Sequence, residues 1–311
     1  MLTRRMPLRV AVLCSRRAPG LAHLLTRATE AERPFDIVSV ITSEPACADA
    51  DLVRGHDVPM QTHDIHAYYA ARSSNVYRDV VTRRAYDRDM LALLESSAPD
   101  LVLLDGYLYL LTDPMLDRYR NRMLNLHFSD LALRRPDHGP VYPGLRAVRD
   151  ALADGQMETR ATVHVVNEEP DGGAPLVRSW AYPVSPMVAR ARAWNATDML
   201  KAYAYAQQEW MIREASGPLL ASALSLVATG AVDLDALDGA NPDTVVPWLL
   251  DEWGRLTPPP GEHAHDQQAH MPASLASSSA ERRCRPFRDV AADLQYCDVA
   301  ADLQVRPGRT Q

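Results

Sequence analysis

The sequence predicts an α/β fold, a Rossmann-like and mostly parallel sheet with flanking helices. Three observations lead there. Short, predominantly apolar runs recur at 8–14, 36–42 and 101–106. Stretches with helical spacing separate them, at 21–32 and 86–97. Strong turn dipeptides, Pro19-Gly20 and Pro99-Asp100, punctuate the alternation. Continuous apolar runs are what strands covered on both faces require, and strand–helix alternation is the signature of parallel pairing through right-handed crossovers.

Each element has its own warrant. Residues 8–14 (LRVAVLC) form a compact apolar run, read as the first buried strand, and 36–42 (DIVSVIT) as the second. In the 86–97 helix, Met90, Leu91, Leu93 and Leu94 can share one face. Residues 101–106 (LVLLDG) make a third strand, 117–122 close a short helix, and 123–127 make a fourth strand. Beyond it a helix is expected at 145–153, strands at 161–167 and 175–184, and helices at 196–214 and 218–229. The turn Pro170-Asp171-Gly172-Gly173 joins the two later strands. From about residue 258 the composition shifts to Pro, His, Gln, Ser and Arg, and the heptapeptide DVAADLQ occurs twice. Such a segment is too polar to build a core, so 257–311 is expected to be a low-complexity, disordered tail.

Composition removes several function classes. With 47% hydrophobic and 23% charged residues the chain has the make-up of a soluble enzyme. A net charge of −7 leaves no basic footprint for nucleic acid. The four cysteines, Cys14, Cys47, Cys284 and Cys297, show no C-x-x-C pairing, which points to a reducing cytoplasm. The N-terminus begins basic and turns apolar, but the run is short and no small-residue cleavage site follows. No stretch approaches the roughly 18 apolar residues of a membrane span.

The chemistry is expected where polar side chains interrupt apolar strands. Functional groups in such sheets gather at the carboxyl ends of strands, here Ser15, Ser43, Gly106 and Asn125 to His127. Asn125 and His127 are two apart on a short strand and so share a face. Asp171 follows another strand on a glycine-rich turn. An amide donor, an imidazole and a carboxylate are the parts that acyl transfer to an amine needs. One donor to a developing oxyanion is worth roughly 10²- to 10³-fold, and a placed acid or base about 10²- to 10⁴-fold.

Four segments in order resemble the glycinamide ribonucleotide formyltransferase family, which is related to methionyl-tRNA and sugar-nucleotide formyltransferases. They are AYDRDMLALLESSAPDLVLLDGYLYLL at 85–111, MLNLHFS at 123–129, YPGLRAVRDALADG at 142–155 and VHVVNEEPDGG at 163–173. Similarity runs from Arg9 to about Asp233. The resemblance implies a formyltransferase-like catalytic domain over 1–256 with 10-formyltetrahydrofolate as formyl donor and no metal. It implies that Asn125 holds the formyl oxygen, that His127 stabilises the oxyanion and helps proton transfer, and that Asp171 orients or pairs with His127 and receives the amine proton through water. Ser129 and His164 match further active-site positions. Leu108, Tyr109, Leu110 and Leu111, with Val166, Asn167, Glu168 and Pro170, would line the pterin pocket. Arg83 and Glu209 match positions that touch the nucleotide substrate.

The departures concern the acceptor. Purine-pathway members carry a Gly-Ser-Asn type phosphate loop after the first strand, whereas this chain has Cys14-Ser15-Arg16-Arg17-Ala18-Pro19-Gly20. Glycine lets backbone N–H groups approach a phosphate; Ser15, Arg16 and Arg17 would have to serve with side chains instead. Residues 130–138 and 186–197 are longer than the family pattern, and Arg160-Ala161 replaces its usual Gly-Thr. These differences predict a non-purine amine acceptor, such as a specialised metabolite. The alternatives are glycinamide ribonucleotide itself, hydrolysis of formyltetrahydrofolate, or folate binding without catalysis. Hydrolases of the family carry an N-terminal regulatory domain, for which no room is expected before Leu8. Partners are expected to be the amine and folate, with no nucleic acid or membrane, and with a homodimer left open. His56, His63 and His66 lie in a stretch read as loop and fit no metal spacing.

Overall fold

The structure is a computed structural model describing residues 7–28, 33–74 and 79–260. Leu8–Cys14 (β1), Leu21–Ala28 (α1) and Phe35–Thr42 (β2) open the chain, followed by Ala50–Gly55 (α2), Met60–Thr62 (β3) and Ile65–Ala70 (α3). Val80–Glu95 (α4), Leu101–Leu104 (β4), Asp113–Arg118 (α5) and Met123–His127 (β5) complete the first half. Then come Ala147–Asp154 (α6), Glu158–Thr159 (β6), Thr162–Val165 (β7), Pro175–Arg178 (β8) and Tyr182–Pro183 (β9). Met187–Ala193 (α7), Thr197–Thr229 (α8), Trp248–Leu250 (β10) and Leu256–Thr257 (β11) follow, with short 3₁₀ turns at Asp235–Leu237 and Pro242–Thr244.

The sheet runs β11-β10-β8-β7-β5-β4-β1-β2-β3, and β6 and β9 form a separate ribbon. From β3 to β5 neighbouring strands are parallel; β7 is antiparallel to both β5 and β8. The period of two in β1 shows why these runs are apolar throughout. Val10 and Val12 join one core cluster with α1, α6 and α8, while Ala11 and Leu13 join the opposite cluster with α3, α4 and α5.

Several expectations need correction. The helices expected at 196–214 and 218–229 are one helix, α8, with Pro218 inside it. Proline in a helix interior costs about 3 kcal/mol. Leu219, Leu220, Leu224 and Leu226 beyond it are buried. At roughly 1.5–3 kcal/mol per buried leucine they outweigh the break. Gly217 helps: a Cβ there would come 2.5 Å from His23 Cβ on α1. The helix expected from residue 86 starts at Val80, because the Asp79 side chain caps it by accepting from the Val81 and Thr82 amides. The short helix closes at Arg118 rather than 122, since it begins early, at Asp113 with Pro114 in its first turn. The strand expected over 175–184 splits into β8 and β9, because the Ser179 amide and side chain turn to Ala161. The loop expected around the histidines holds β3 and α3, the latter capped by Asp64. The 186–197 extension contains α7. Strand β11 crosses the expected boundary between residues 256 and 257, and the expected tail beyond residue 260 lies outside the described residues.

Candidate active site

The site forms where β5 ends beside β7. Asn125 and His127 alternate with buried Leu124 and Leu126 and face the same side. The antiparallel register sets His164 directly opposite Asn125. Two residues after β7's end the chain enters the turn that returns it to β8, and this turn carries Asp171 at φ +57°. Aspartate tolerates this left-handed region better than most side chains. Gly173 is required: a Cβ there would collide with the Val165 carbonyl.

The hydrogen bonds fix which atoms are available. His164 Nδ1 lies 2.9 Å from the Val165 carbonyl, so that nitrogen carries a proton and donates. Its Nε2 is 3.1 Å from Asn125 Nδ2 and accepts. His164 is thus neutral, and burial, reinforced by His127 and Arg134, pushes its pKa down to about 4 against the pull of Asp171. An amide nitrogen has two hydrogens, so Asn125 keeps a second one to offer. His127 Nε2 donates to the Tyr142 carbonyl at 2.9 Å, and its Nδ1 faces Asp171 Oδ1 at 3.5 Å. The same carboxylate oxygen is 3.7 Å from His164 Nε2, and Oδ2 accepts from the Gly144 amide at 2.7 Å. Burial opposes ionisation of Asp171, but His127, His164 and the Gly144 amide together hold its carboxyl below the usual range. Ser129 Oγ donates to the Tyr142 carbonyl at 3.0 Å.

The loop after β1 forms a second group beside this one. Arg16 pairs with Glu44 at 2.9 Å, and Arg17 grips Glu209 through both terminal nitrogens, at 3.3 and 2.6 Å. The Ala18 amide donates to Asp49 at 2.6 Å and the Gly20 amide to Asp105 at 2.9 Å. Asp105 is fully buried, and burial pushes its pKa up to about 7 despite the Gly20 and Leu21 amides. Ser15 Oγ lies 2.8 Å from Ser43 Oγ and accepts from the Leu108 amide. Arg83 does not join this loop. Its guanidinium is buried against Tyr107 at 2.8 Å and Asp87 at 3.2 Å, with the Tyr86 and Tyr109 rings nearby.

Among the expected pterin-pocket residues, Leu108 and Leu110 are exposed, Tyr109 and Leu111 half-buried, and the Tyr109 hydroxyl donates to Glu44 at 3.2 Å. On the facing segment Val166 and Asn167 are half-buried while Glu168 and Pro170 are exposed. Sequence reasoning missed Glu44, Asp49 and Asp105 as partners of the loop, and Tyr142 as the carbonyl that fixes His127. Of these, only Glu44 and Asp105 carried a signal, as acidic residues just past strand ends. His63 stacks on Tyr86 and hydrogen-bonds its carbonyl, while His66 faces Tyr109. Among the described residues no three His, Cys, Asp or Glu side chains gather as metal ligands would, and no helix is long and apolar enough to cross a membrane.

Residues 8–207, from β1 into α8, match the formyl transferase family. The chain belongs to that family. Phosphoribosylglycinamide formyltransferase of Escherichia coli is 38% identical over 103 residues, covering 33% of this chain and 44% of that protein. Formyltetrahydrofolate deformylase of the same organism is 26% identical over 194 residues, covering 62% of this chain and 59% of that protein. The crystal structure of glycinamide ribonucleotide transformylase 1 from Symbiobacterium toebii superposes with a TM-score of 0.56 at 27% identity, covering 72% of this formyl transferase chain and 89% of that one. The chain spans 12% of the length of a Drosophila melanogaster trifunctional purine biosynthetic protein and 44% of the E. coli formyltransferase.

Proposed function

We propose that the protein transfers a formyl group from 10-formyltetrahydrofolate to a primary amine. The convergence of Asn125, His127, His164 and Asp171 at the β5–β7 ends, in a chain of this family, carries the reading. The remaining Asn125 Nδ2–H is free to meet the formyl oxygen, and such a donor is worth roughly 10²- to 10³-fold as charge develops there. His127 faces Asp171 through Nδ1 at 3.5 Å, and once that nitrogen has taken a proton it can stabilise the oxyanion. As the amine attacks the formyl carbon, Asp171, kept ionised, takes up the proton the amine loses; the bond from the formyl carbon to the donor nitrogen then breaks, that nitrogen takes a proton, and tetrahydrofolate leaves. The exposed leucines 108 and 110 suit the face of a flat donor ring, with 166–170 on its edge. Leu108, Tyr109, Leu110, Leu111, Val166, Asn167, Glu168 and Pro170 are the proposed donor contacts.

The names of the relatives favour glycinamide ribonucleotide as the amine. One observation favours a second reading, an amine without phosphate. In the loop after β1, the Ala18 and Gly20 amides already serve Asp49 and Asp105, and Arg16 and Arg17 already serve Glu44 and Glu209. Ser15, Arg16, Arg17 and Glu209 remain the proposed acceptor contacts in either case, and the buried position of Arg83 gives it a structural part instead. A homodimer belongs to the same proposal and is checked by sedimentation. Function is tested by absorbance-monitored turnover of 10-formyltetrahydrofolate with glycinamide ribonucleotide, with a panel of phosphate-free amines, and with no acceptor. Turnover that needs an amine supports transfer and identifies the acceptor class. Turnover without any acceptor turns the reading to hydrolysis, and tight folate binding with no turnover turns it to a binding protein.

A further inference from the structure

The loop longer than the family pattern, 130–138, places a cation behind the turn that carries Asp171. A bridge between Arg134 and Pro140 closes this loop, and the Arg135 amide donates to the Gly139 carbonyl at 2.9 Å. The Arg134 side chain is only 6% exposed. Its guanidinium fork spans two successive backbone carbonyls, donating from Nη1 to Gly172 at 3.2 Å and from Nη2 to Gly173 at 3.0 Å. Behind it, Arg134 Nε lies 4.0 Å from Asp243 Oδ1 in the turn Pro242–Thr244. The other oxygen of Asp243 pairs with His138 of the same loop.

We propose that Arg134 is a positioning residue, which Asp243 anchors and which holds the Gly172–Gly173 backbone so that Asp171 faces His127 and His164. The proposal rests on the function proposed above only in assigning Asp171 a part in transfer. The turn needs such a hold. Two consecutive glycines give the chain many alternatives to the one conformation seen, and Asp171 itself sits at φ +57°. Both glycines are buried, so their carbonyls require partners, and a planar fork satisfies two acceptors at once with charge-assisted bonds. A lysine presents a single point charge and cannot bridge both in the same way. The charge of Arg134 also reaches the site, where it helps keep His164 neutral.

The test uses the full chain with Arg134→Ala, Arg134→Lys and Asp243→Asn. Two quantities are read: kcat and KM with the acceptor found for wild type, and amide exchange at Gly144 and Gly172 in the protein without substrates. Gly144 donates to the Asp171 carboxylate and Gly172 to the Glu169 carbonyl, so both report the turn. Displacement of a reacting group by about 1 Å costs on the order of 10²-fold in rate, so Arg134→Ala should lower kcat about 100-fold with little change in donor KM. Exchange at Gly144 and Gly172 should quicken while β1 and β4 amides keep wild-type rates. Arg134→Lys should recover part of the kcat, and Asp243→Asn should show a smaller loss of the same pattern. Wild-type exchange at both glycines in Arg134→Ala, or a wild-type kcat, overturns the proposal. If the alanine variant does not fold, the lysine and asparagine variants decide on the same two readings. If wild type turns over no amine, the function proposed above has failed, and the exchange readings still decide whether Arg134 holds the turn.

Discussion

His164 ties the architecture of the site to the acid stability of the whole protein. The side chain is 2% exposed, and burial holds its pKa at about 4, against an ordinary value of 6.5. The folded state therefore resists a proton that the unfolded chain accepts. Stability from this group is complete above pH 6.5 and is lost as pH falls toward 4. At 1.36 kcal/mol per pKa unit the full loss is about 3 kcal/mol, of which about 2 kcal/mol has gone by pH 5. Substitution by glutamine separates this contribution from that of other titrating groups. An amide can donate to the Val165 carbonyl and accept from Asn125, as His164 does, but takes no proton in this range. Urea unfolding of wild type and His164→Gln at pH 7, 6 and 5 measures the difference. The expected result is that wild type loses about 2 kcal/mol relative to the variant between pH 7 and 5. Parallel stability curves would refute the reasoning, because they would mean that His164 is protonated in the folded protein or exposed to solvent.

Three further outcomes follow from the same geometry. His127→Ala and Asp171→Asn should each cut kcat by on the order of 10²- to 10⁴-fold with wild-type circular dichroism; a folded variant with near-normal turnover would remove that residue from the proposed chemistry. Asp105 has its pKa raised to about 7, so its contribution is complete below 3.8 and is lost as pH rises through 7. Asp105→Asn should therefore gain about 2–3 kcal/mol on wild type between pH 5 and pH 8 in urea unfolding, and a pH-independent difference would contradict the assignment. Gly173→Ala drives a methyl group into the Val165 carbonyl, which should cost about 1–3 kcal/mol in stability and lower kcat together, since the same turn carries Asp171. Thermal unfolding and turnover check it, and wild-type values for both would show that the turn relaxes.

What the sequence made legible follows from how local each signal is. Strands 8–14 and 123–127 were readable to the residue because central strands covered on both faces are apolar at most positions on either face. Asn125 and His127 were readable because strand alternation is a local rule. The neutral state of His164 was not, because it depends on the antiparallel register that brings Asn125 opposite. Pro218 reads as a stop locally and is overruled by the leucines that α8 buries across the sheet. Asp79 and Asp64 were the readable cap signals that would have placed the starts of α4 and α3. Arg134 had no local signal at all. Its partners, Gly172, Gly173 and Asp243, come from two other parts of the chain.

The loop after β1 shows where a family resemblance and a physical reading part. The relatives' names point to a phosphorylated amine, and a phosphate would need amide hydrogens and cations after β1. In this protein carboxylates occupy both roles: Asp49 and Asp105 take the amides, and Glu44 and Glu209 take the arginines. A phosphate here has to displace carboxylates from their donors and then remain beside them. Two unit charges of like sign at 4 Å repel by about 4 kcal/mol at an effective dielectric constant of 20, so each ionised carboxylate left beside a phosphate costs on that order. As it stands, the loop's amides and arginines are held by carboxylates, and its arginines turn to a phosphate only if the Arg16–Glu44 and Arg17–Glu209 pairs open. Those pairs are partly solvent-facing, with the arginines 38% and 48% exposed, so opening them costs little. Asp105 is different, because it is buried and its amide partner belongs to the first turn of α1's entry. If this loop meets the acceptor as proposed above, Asp49 and Asp105 matter more than the arginines.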